Sequence, residues 1–204
     1  MKRFLLVGLG IIFFMASLFL TGCYKKEPPM PERLKWVLIP AADADAELEV
    51  YRPIADYLET QIGMPIDLVV SSDYTTAIVS LKNGDAHLAR LAPFSTALAS
   101  TLMDVDPIVR GVQKGTGKAA YVALIVVKAD SGIENLEGLK GKVFAYTDEV
   151  STSGYLVPRA YFIENGIDPE TYFSKTYLSG GHDASLLAVK NNKYRSFKYE
   201  KETI

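Results

Sequence analysis

A run of hydroxyl side chains, Ser151-Thr152-Ser153 followed by Gly154, is the sequence feature with the clearest chemistry. It stands between a strand predicted over residues 143–146 and a helix predicted over residues 153–164. The first N–H groups of a helix lack intrahelical partners and carry partial positive charge, so hydroxyls beside them can hold a phosphate-like anion. An ordinary Ser or Thr helix cap uses the same residue types, so the loop alone leaves both interpretations open. It lacks the lysine and flanking glycines of a Walker loop.

A second turn of this kind is Ser179-Gly180-Gly181-His182-Asp183, which follows a predicted strand and opens a predicted helix. Asp183 is predicted to be the N-cap of that helix. His182 can donate a hydrogen bond to an anion, although a single histidine in a loop is commonly a plain surface residue.

Two more strand-to-helix junctions occur earlier in the chain. In one, Asp73 caps a helix and Tyr74 follows it, with a side chain that can line a ligand cleft or pack in the core. The other is Pro93-Phe94-Ser95. All four junctions are rich in O–H or N–H donors, so we expect them to face one another across a cleft.

The elements that must position these junctions alternate between strands and helices. Short apolar runs predict strands, and apolar residues at helical spacing after Asp, Ser or Pro predict helices. Predicted strands cover residues 34–39, 66–70, 86–89, 121–127, 143–146 and 175–178. Predicted helices begin at Asp43 or Asp45, Asp73, Pro93, Ser153 and Asp183. This order predicts an α/β fold with mostly parallel strands, in which ligands bind at the carboxyl ends of the strands.

The alternation stops and restarts around a glycine-rich stretch, residues 111–128. We therefore predict two lobes, residues 34–120 and residues 121–191, with a hinge in this stretch. Residues 192–204 form a polar tail without a strand pattern.

The N-terminus has the pattern of a targeting segment. Lys2 and Arg3 precede an apolar run, residues 4–20, which ends at Leu20-Thr21-Gly22-Cys23. That ending resembles the bacterial lipobox, in which the cysteine becomes the lipidated first residue of the mature protein. We predict a signal peptide over residues 1–22, lipidation of Cys23 and a Pro-broken tether over residues 23–33. An uncleaved membrane anchor is the alternative.

Composition excludes several functional classes. The 204-residue chain has a net charge of −2, so bulk charge does not favour nucleic-acid binding. One cysteine cannot form an internal disulfide, and two histidines leave little material for a metal site, so we predict no metal and no cofactor. A hydrolase would need Ser151 or Ser153 with His182 and an Asp, but the chain has no Gly-x-Ser-x-Gly elbow. We predict that the protein is not an enzyme.

At the level of motifs, the chain resembles the phosphate, phosphite and phosphonate substrate-binding proteins of ABC importers, the PhnD-like group, over about residues 34–191. The matching strings are Asp73-Tyr74, Ala92-Pro93-Phe94-Ser95, Asp130-Ser131-Gly132-Ile133, Ser151-Thr152-Ser153-Gly154 and Gly181-His182-Asp183-Ala184-Ser185. The resemblance implies a two-lobed periplasmic-binding fold of type II that closes on an oxyanion.

By the same resemblance, Ser151, Thr152 and Ser153 would hold the phosphonate oxygens, His182 would be a further donor, and Tyr74 would line the cleft. The expected function is capture of phosphonate, phosphite or phosphate for a membrane permease by an exported, lipid-anchored protein. Arg90 and Leu91 stand where many members have aromatic residues, and Thr96 where many have tyrosine, so the choice among oxyanions stays open.

Family members are nearly half as long again, so we expect an incomplete second lobe, with residues 192–204 as an aberrant tail. Two alternatives to an importer component remain. One is a truncated remnant that binds little ligand, and the other is a module that presents ligand to a membrane sensor.

Overall fold

The computed structural model describes residues 30–191 and the backbone of residues 201–203. The predicted signal peptide, Cys23 and most of the tail lie outside the described residues. Among the helices of the described part, none is long and apolar enough to cross a membrane.

Lobe 1 is a parallel sheet with helices between its strands. Its elements are β1 Leu34–Leu38, α1 Ala44–Ile62, β2 Ile66–Val70, α2 Tyr74–Asn83, β3 Leu88–Arg90 and α3 Pro93–Leu102. Within the described residues the strand order is β2-β1-β3, with both pairings parallel. The carboxyl ends of these strands therefore meet at one edge, where α1, α2 and α3 begin.

Local signals set the ends of these helices. The Asp43 carboxylate accepts a hydrogen bond from the Asp45 N–H at 3.1 Å, and α1 stops at Gly63, which has φ 67°. The Asp73 carboxylate accepts from the Thr76 N–H at 2.6 Å, and Gly84 ends α2.

Lobe 1 has one continuous core beneath its sheet. Its buried residues are Val37, Ile39, Tyr74, Ala77, Ile78, Ala86, Ala99 and Val150. Val150 belongs to lobe 2 by sequence, so the core of lobe 1 is completed by a side chain from the second half of the chain.

Lobe 2 is built around two parallel strands and an aromatic cluster. Its elements are β4 Tyr121–Ala123, β5 Val143–Tyr146, α4 Val157–Glu164, α5 Pro169–Tyr172, β6 Lys175–Leu178 and α6 His182–Lys190. The ring of Phe144 lies 5.4 Å from that of Phe162 and 4.8 Å from that of Phe173, centroid to centroid. The two-stranded sheet of lobe 2 is therefore stabilised mainly by aromatic packing and less by backbone pairing between strands.

Two expectations about strands are wrong. The run 121–127 forms a strand only at β4, and the tail contains a strand, β7 Lys201–Thr203, whose backbone pairs antiparallel with β4. The sequence pattern missed β7 because its partner lies about 80 residues away, and an edge strand needs no apolar face to form backbone hydrogen bonds. The division at residue 120 stays a prediction.

Two helices of lobe 1 carry unusual residues in their interior. Pro53 lies in the middle of α1. The fully buried face of α3 carries Ser95 and Ala99, whereas Ala97 and Leu102 are exposed. Ser95 is buried there because its hydroxyl accepts from the Ala92 N–H at 2.8 Å and donates to the Ala92 carbonyl at 2.9 Å.

Candidate functional site

The predicted hydroxyl loop is a strap that crosses from lobe 2 onto lobe 1. We use "strap" for residues 147–153, which link β5 to a π-helical turn, Thr152–Leu156, that continues into α4. Val150 enters the core of lobe 1, and the strap brings the Thr152 hydroxyl to the start of α3 and the Ser151 hydroxyl beside Tyr74 at the start of α2.

Three hydroxyl residues of the strap have distinct environments. Ser151 is 1% exposed, and its hydroxyl oxygen accepts from the Gly154 N–H at 3.1 Å. The Thr152 hydroxyl, 4% exposed, accepts from the Phe94 N–H of α3 at 2.8 Å. Ser153 is half-buried, and its hydroxyl has no hydrogen-bonding partner within the described part of the chain. Since a hydroxyl accepts and donates at once, Thr152 keeps its own hydrogen for another acceptor, whereas the Ser151 hydroxyl also hydrogen-bonds with the Tyr74 phenol.

Gly154 is required for this arrangement. A Cβ at this position would overlap the side chain of Thr147, which sits on the same side of the turn. The Thr147 N–H donates to the Gly154 carbonyl at 3.0 Å, so the two ends of the strap are held together.

His182 lies next to the strap. It begins α6, and its Nδ1 is 3.5 Å from the Thr147 hydroxyl. The Gly180 N–H donates to the Thr147 carbonyl at 2.8 Å, which fixes the glycine turn against the strap. Burial and the nearby positive charge of Arg90 lower the pKa of His182, against a raising effect of Asp183, so the ring is neutral at pH 7. A neutral imidazole offers one N–H donor.

Tyr74 is both a core residue and a site residue. It is 1% exposed in the core of lobe 1, and its phenol lies beside the Ser151 hydroxyl. Burial raises the pKa of Tyr74, which outweighs the lowering effects of Ser151 and Arg90, so the phenol keeps its proton. The two interpretations left open by the sequence, core packing and cleft lining, are therefore compatible.

Arg90 supplies positive charge that the sequence reasoning did not assign to the site. Its charge acts on both Tyr74 and His182. Its Nε donates to the Tyr51 hydroxyl at 2.8 Å, and Tyr51 packs edge-on against Trp36. The available signal was its position as the last residue of β3, at the carboxyl edge of the sheet.

The structure thus places Ser151 beside Tyr74 and His182 beside Thr147, and the charge of Arg90 acts on both Tyr74 and His182. Thr152 contacts the start of α3. Asp183, in contrast, is not the N-cap of α6. Gly181 takes that position, and the Asp183 carboxylate turns to the start of α1 instead.

A metal centre is not formed by the described residues, which contain no group of three or more His, Cys, Asp or Glu side chains placed to hold an ion. An open, mostly apolar groove of about 470 Å³ lies between residues 126–130 and the far end of α6. It has none of the strap donors.

Comparison with known proteins decides the family. A family model described as "ABC transporter, phosphonate, periplasmic substrate-binding protein" matches residues 36–196, which is most of the chain. The chain belongs to this family. The family is one of substrate-binding transport proteins rather than enzymes, and the resemblance stated from the motifs is confirmed.

Individual members agree with this assignment. The chain is 31% identical over 172 residues to the phosphate-import protein PhnD of Mycolicibacterium smegmatis, covering 79% of this chain and 53% of that protein. The chain spans about half the length of the curated relatives it matches.

Solved structures of the family show the same fold. The binding-protein component of an ABC phosphonate transporter from Pseudomonas aeruginosa superposes with a TM-score of 0.76 at 24% identity, over 84% of this chain and 58% of that one. PhnD1 from Prochlorococcus marinus, solved with methylphosphonate, gives a TM-score of 0.69 at 23% identity, over 84% of this chain and 64% of that one. The predicted two-lobed α/β periplasmic-binding fold is thereby confirmed.

Proposed function

We propose that the protein captures a small tetrahedral oxyanion, phosphonate, phosphite or phosphate, between its lobes and delivers it to an ABC permease. The observation that carries the proposal is the convergence of the strap hydroxyls with His182, Tyr74 and the charge of Arg90. Family membership supports this choice of ligand class.

The strap is proposed to hold the anion through hydroxyl hydrogens whose oxygens are already fixed. Backbone N–H groups of Gly154 and Phe94 occupy acceptor positions on Ser151 and Thr152, which fixes the oxygens before a ligand arrives, and the Ser151 hydroxyl is further held by the Tyr74 phenol. Ser153 adds a hydroxyl with no competing partner among the described residues. Such preorganisation lowers the entropic cost of binding.

Charge and helix ends complete the proposed site. The N-cap residue of α6, Gly181, provides no side-chain cap, so the first N–H groups of the helix are available to an anion beside His182. Arg90 offsets the ligand charge through space. Charge-assisted hydrogen bonds contribute about 1.5–3 kcal/mol each, so a handful of them reaches micromolar affinity against the cost of association.

The proposed route to the permease begins with export and a lipid on Cys23. A diacyl anchor holds a domain to a membrane, and the Pro-broken tether, residues 23–33, gives it reach. Incorporation of labelled fatty acid into the full chain, abolished by Cys23→Ser, tests the anchor. Unchanged labelling in C23S would overturn it.

Titration calorimetry of the full chain with methylphosphonate, phosphite, phosphate and sulfate tests the binding function. We expect at least one of the phosphorus anions to bind, and S153A and H182A to weaken that binding about tenfold or more. The matched control is S100A, because Ser100 is an exposed serine on α3 whose hydroxyl donates only to the Thr96 carbonyl. No heat with any phosphorus anion, or an equal loss in S100A, would contradict the proposal.

A further inference from the structure

The starts of the lobe-1 helices are contacted by polar side chains of lobe 2. At α1 the Asp43 N–H donates to the Asp183 carboxylate at 2.9 Å. At α3 the Phe94 N–H donates to the Thr152 hydroxyl at 2.8 Å. At α2 the Tyr74 N–H faces the Asp148 carboxylate at a longer 3.5 Å.

These contacts satisfy donors that lobe 1 leaves unpaired. The first N–H groups of a helix have no intrahelical acceptor, and the local caps of lobe 1 take other groups: Asp43 caps Asp45, and Asp73 caps Thr76. The N–H groups of Asp43, Tyr74 and Phe94 face acceptors of lobe 2 instead. The Phe94 and Tyr74 contacts are partly buried, whereas the Asp43–Asp183 contact is exposed to solvent. A buried donor left without an acceptor costs up to roughly 1–3 kcal/mol, so separating the lobes costs free energy mainly at Phe94 and Tyr74 unless water replaces their partners.

Asp183 is placed to act on two helices at once. It stands in the first turn of α6 and accepts from the start of α1, so its negative charge lies near the positive ends of both helix dipoles. The Gly181 position beside it faces the Pro40 carbonyl, and a Cβ there would come within 3.3 Å of that oxygen. The α1–α6 contact therefore has close backbone approach as well as a charged hydrogen bond.

The strap makes the second half of the same interface. Asp148 accepts from the Val150 N–H at 2.8 Å, which holds the strap in the shape that places Val150 in the core of lobe 1. Two residues after Val150, the Thr152 hydroxyl accepts the hydrogen bond from the Phe94 N–H at the start of α3.

We propose that Asp183 is a positioning residue which, together with the strap contacts of Asp148 and Thr152, holds the two lobes closed in the absence of any ligand. Its bearing on capture rests on the proposed function, since apparent affinity scales with the fraction of binding-competent protein. The latch itself needs no ligand and can be measured without one.

Hydrogen–deuterium exchange of the full chain, with no anion added, tests the latch at the Asp43 and Phe94 amides. Asp183 touches Asp43 but not Phe94, so a concerted opening predicts that D183A raises exchange at both amides, by about tenfold or more. The matched control is E149A, because Glu149 is an exposed carboxylate of the strap with no hydrogen bond among the described residues. E149A is expected to exchange like the wild type.

D183N keeps an oxygen acceptor but loses the charge, and it is expected to raise exchange at both amides by a smaller factor, about threefold. Exchange at the Ile78 amide, in the core of lobe 1, reports whether D183A still folds. If D183A unfolds, D183N becomes the variant that tests the latch. An increase confined to Asp43, no increase at either amide in D183N, or equal increases in E149A would overturn the latch. If the protein binds no anion, calorimetry contradicts the proposed function, whereas the exchange experiment still tests the latch independently.

Discussion

The two lobes are stabilised in different ways. Lobe 1 has three strands among the described residues, with helix ends capped by neighbouring Asp and Gly residues. In lobe 2 the parallel pair β5-β6 rests on stacked and edge-on rings, and the hydroxyl strap leaves it to join lobe 1. A two-stranded sheet is marginal alone, so lobe 2 depends on its aromatic core and on its contacts with lobe 1. Lobe 1 in turn depends on lobe 2 for acceptors to N–H groups at the starts of its helices.

The largest expected effect comes from breaking the aromatic core of lobe 2. Phe162 is fully buried against Phe144 and Phe173. F162A is expected to lower the free energy of unfolding by about 3–5 kcal/mol, measured by urea denaturation followed by circular dichroism. Y57A, at an exposed aromatic residue of α1, is the control. If F162A costs no more than Y57A, the aromatic core does not hold lobe 2.

Substitution of Gly154 tests the strap without touching either core. The new Cβ of G154A would overlap Thr147, so we expect a loss of about 1–3 kcal/mol in unfolding free energy and a loss of anion binding. In G111A the added Cβ meets nothing within 4 Å, which makes it the matched control. Wild-type stability and binding in G154A would show that the strap tolerates a different shape.

Removal of a local cap should cost lobe 1 less. D73A removes the acceptor for the Thr76 N–H at the start of α2, and N-cap losses are typically about 0.5–2 kcal/mol. Burial raises the pKa of Asp73, but hydrogen bonds from Thr76 and Ser72 outweigh it and the net pKa is lowered from 3.8.

The sign of the pH dependence follows from that lowered pKa. The contribution of Asp73 is complete above 3.8 and is lost as the pH falls through the lower folded value. The stability difference between wild type and D73A, from urea melts at several pH values, should therefore shrink on acidification. A difference that is constant with pH would show that the carboxylate charge does not matter to the cap.

The smallest effect is expected from His182. Burial and Arg90 lower its pKa below 6.5, so the unfolded chain binds a proton more readily and the folded state loses stability as the pH falls through 6.5 toward the lower folded value. H182Q should remove that part of the pH dependence of the melting temperature. H87Q, at the other histidine, whose Nδ1 accepts from the Lys35 N–H at 3.0 Å, should retain it. A pH dependence that persists in H182Q would contradict the assignment to His182.

Local signals in the sequence were enough to predict most of this fold. Asp43, Gly63, Asp73, Gly84 and Pro93 mark the helix ends by short-range hydrogen bonds and backbone preferences that act within a few residues. The strands β2, β5 and β6 were predicted at their observed bounds for the same reason.

The missing parts are contacts between distant residues. Asp183 was assigned a local cap, but its partner at Asp43 lies 140 residues away, and nothing in a local pattern indicates that pairing. Arg90 was noted as a departure from the family, yet its influence on Tyr74 and His182 depends on three elements that meet only in the folded chain. The ligand-binding roles of Tyr74, Ser151, Thr152, Ser153 and His182 remain predictions.

Trp36 is the single tryptophan of the chain, and it is connected to the proposed anion site by a short series of contacts. Its indole meets the Tyr51 ring at 5.7 Å, and the Tyr51 hydroxyl accepts from Arg90. An anion that draws the guanidinium toward itself changes the polarity around this indole. Anion binding is therefore expected to change the intrinsic fluorescence of Trp36, so that site occupancy can be followed without a label.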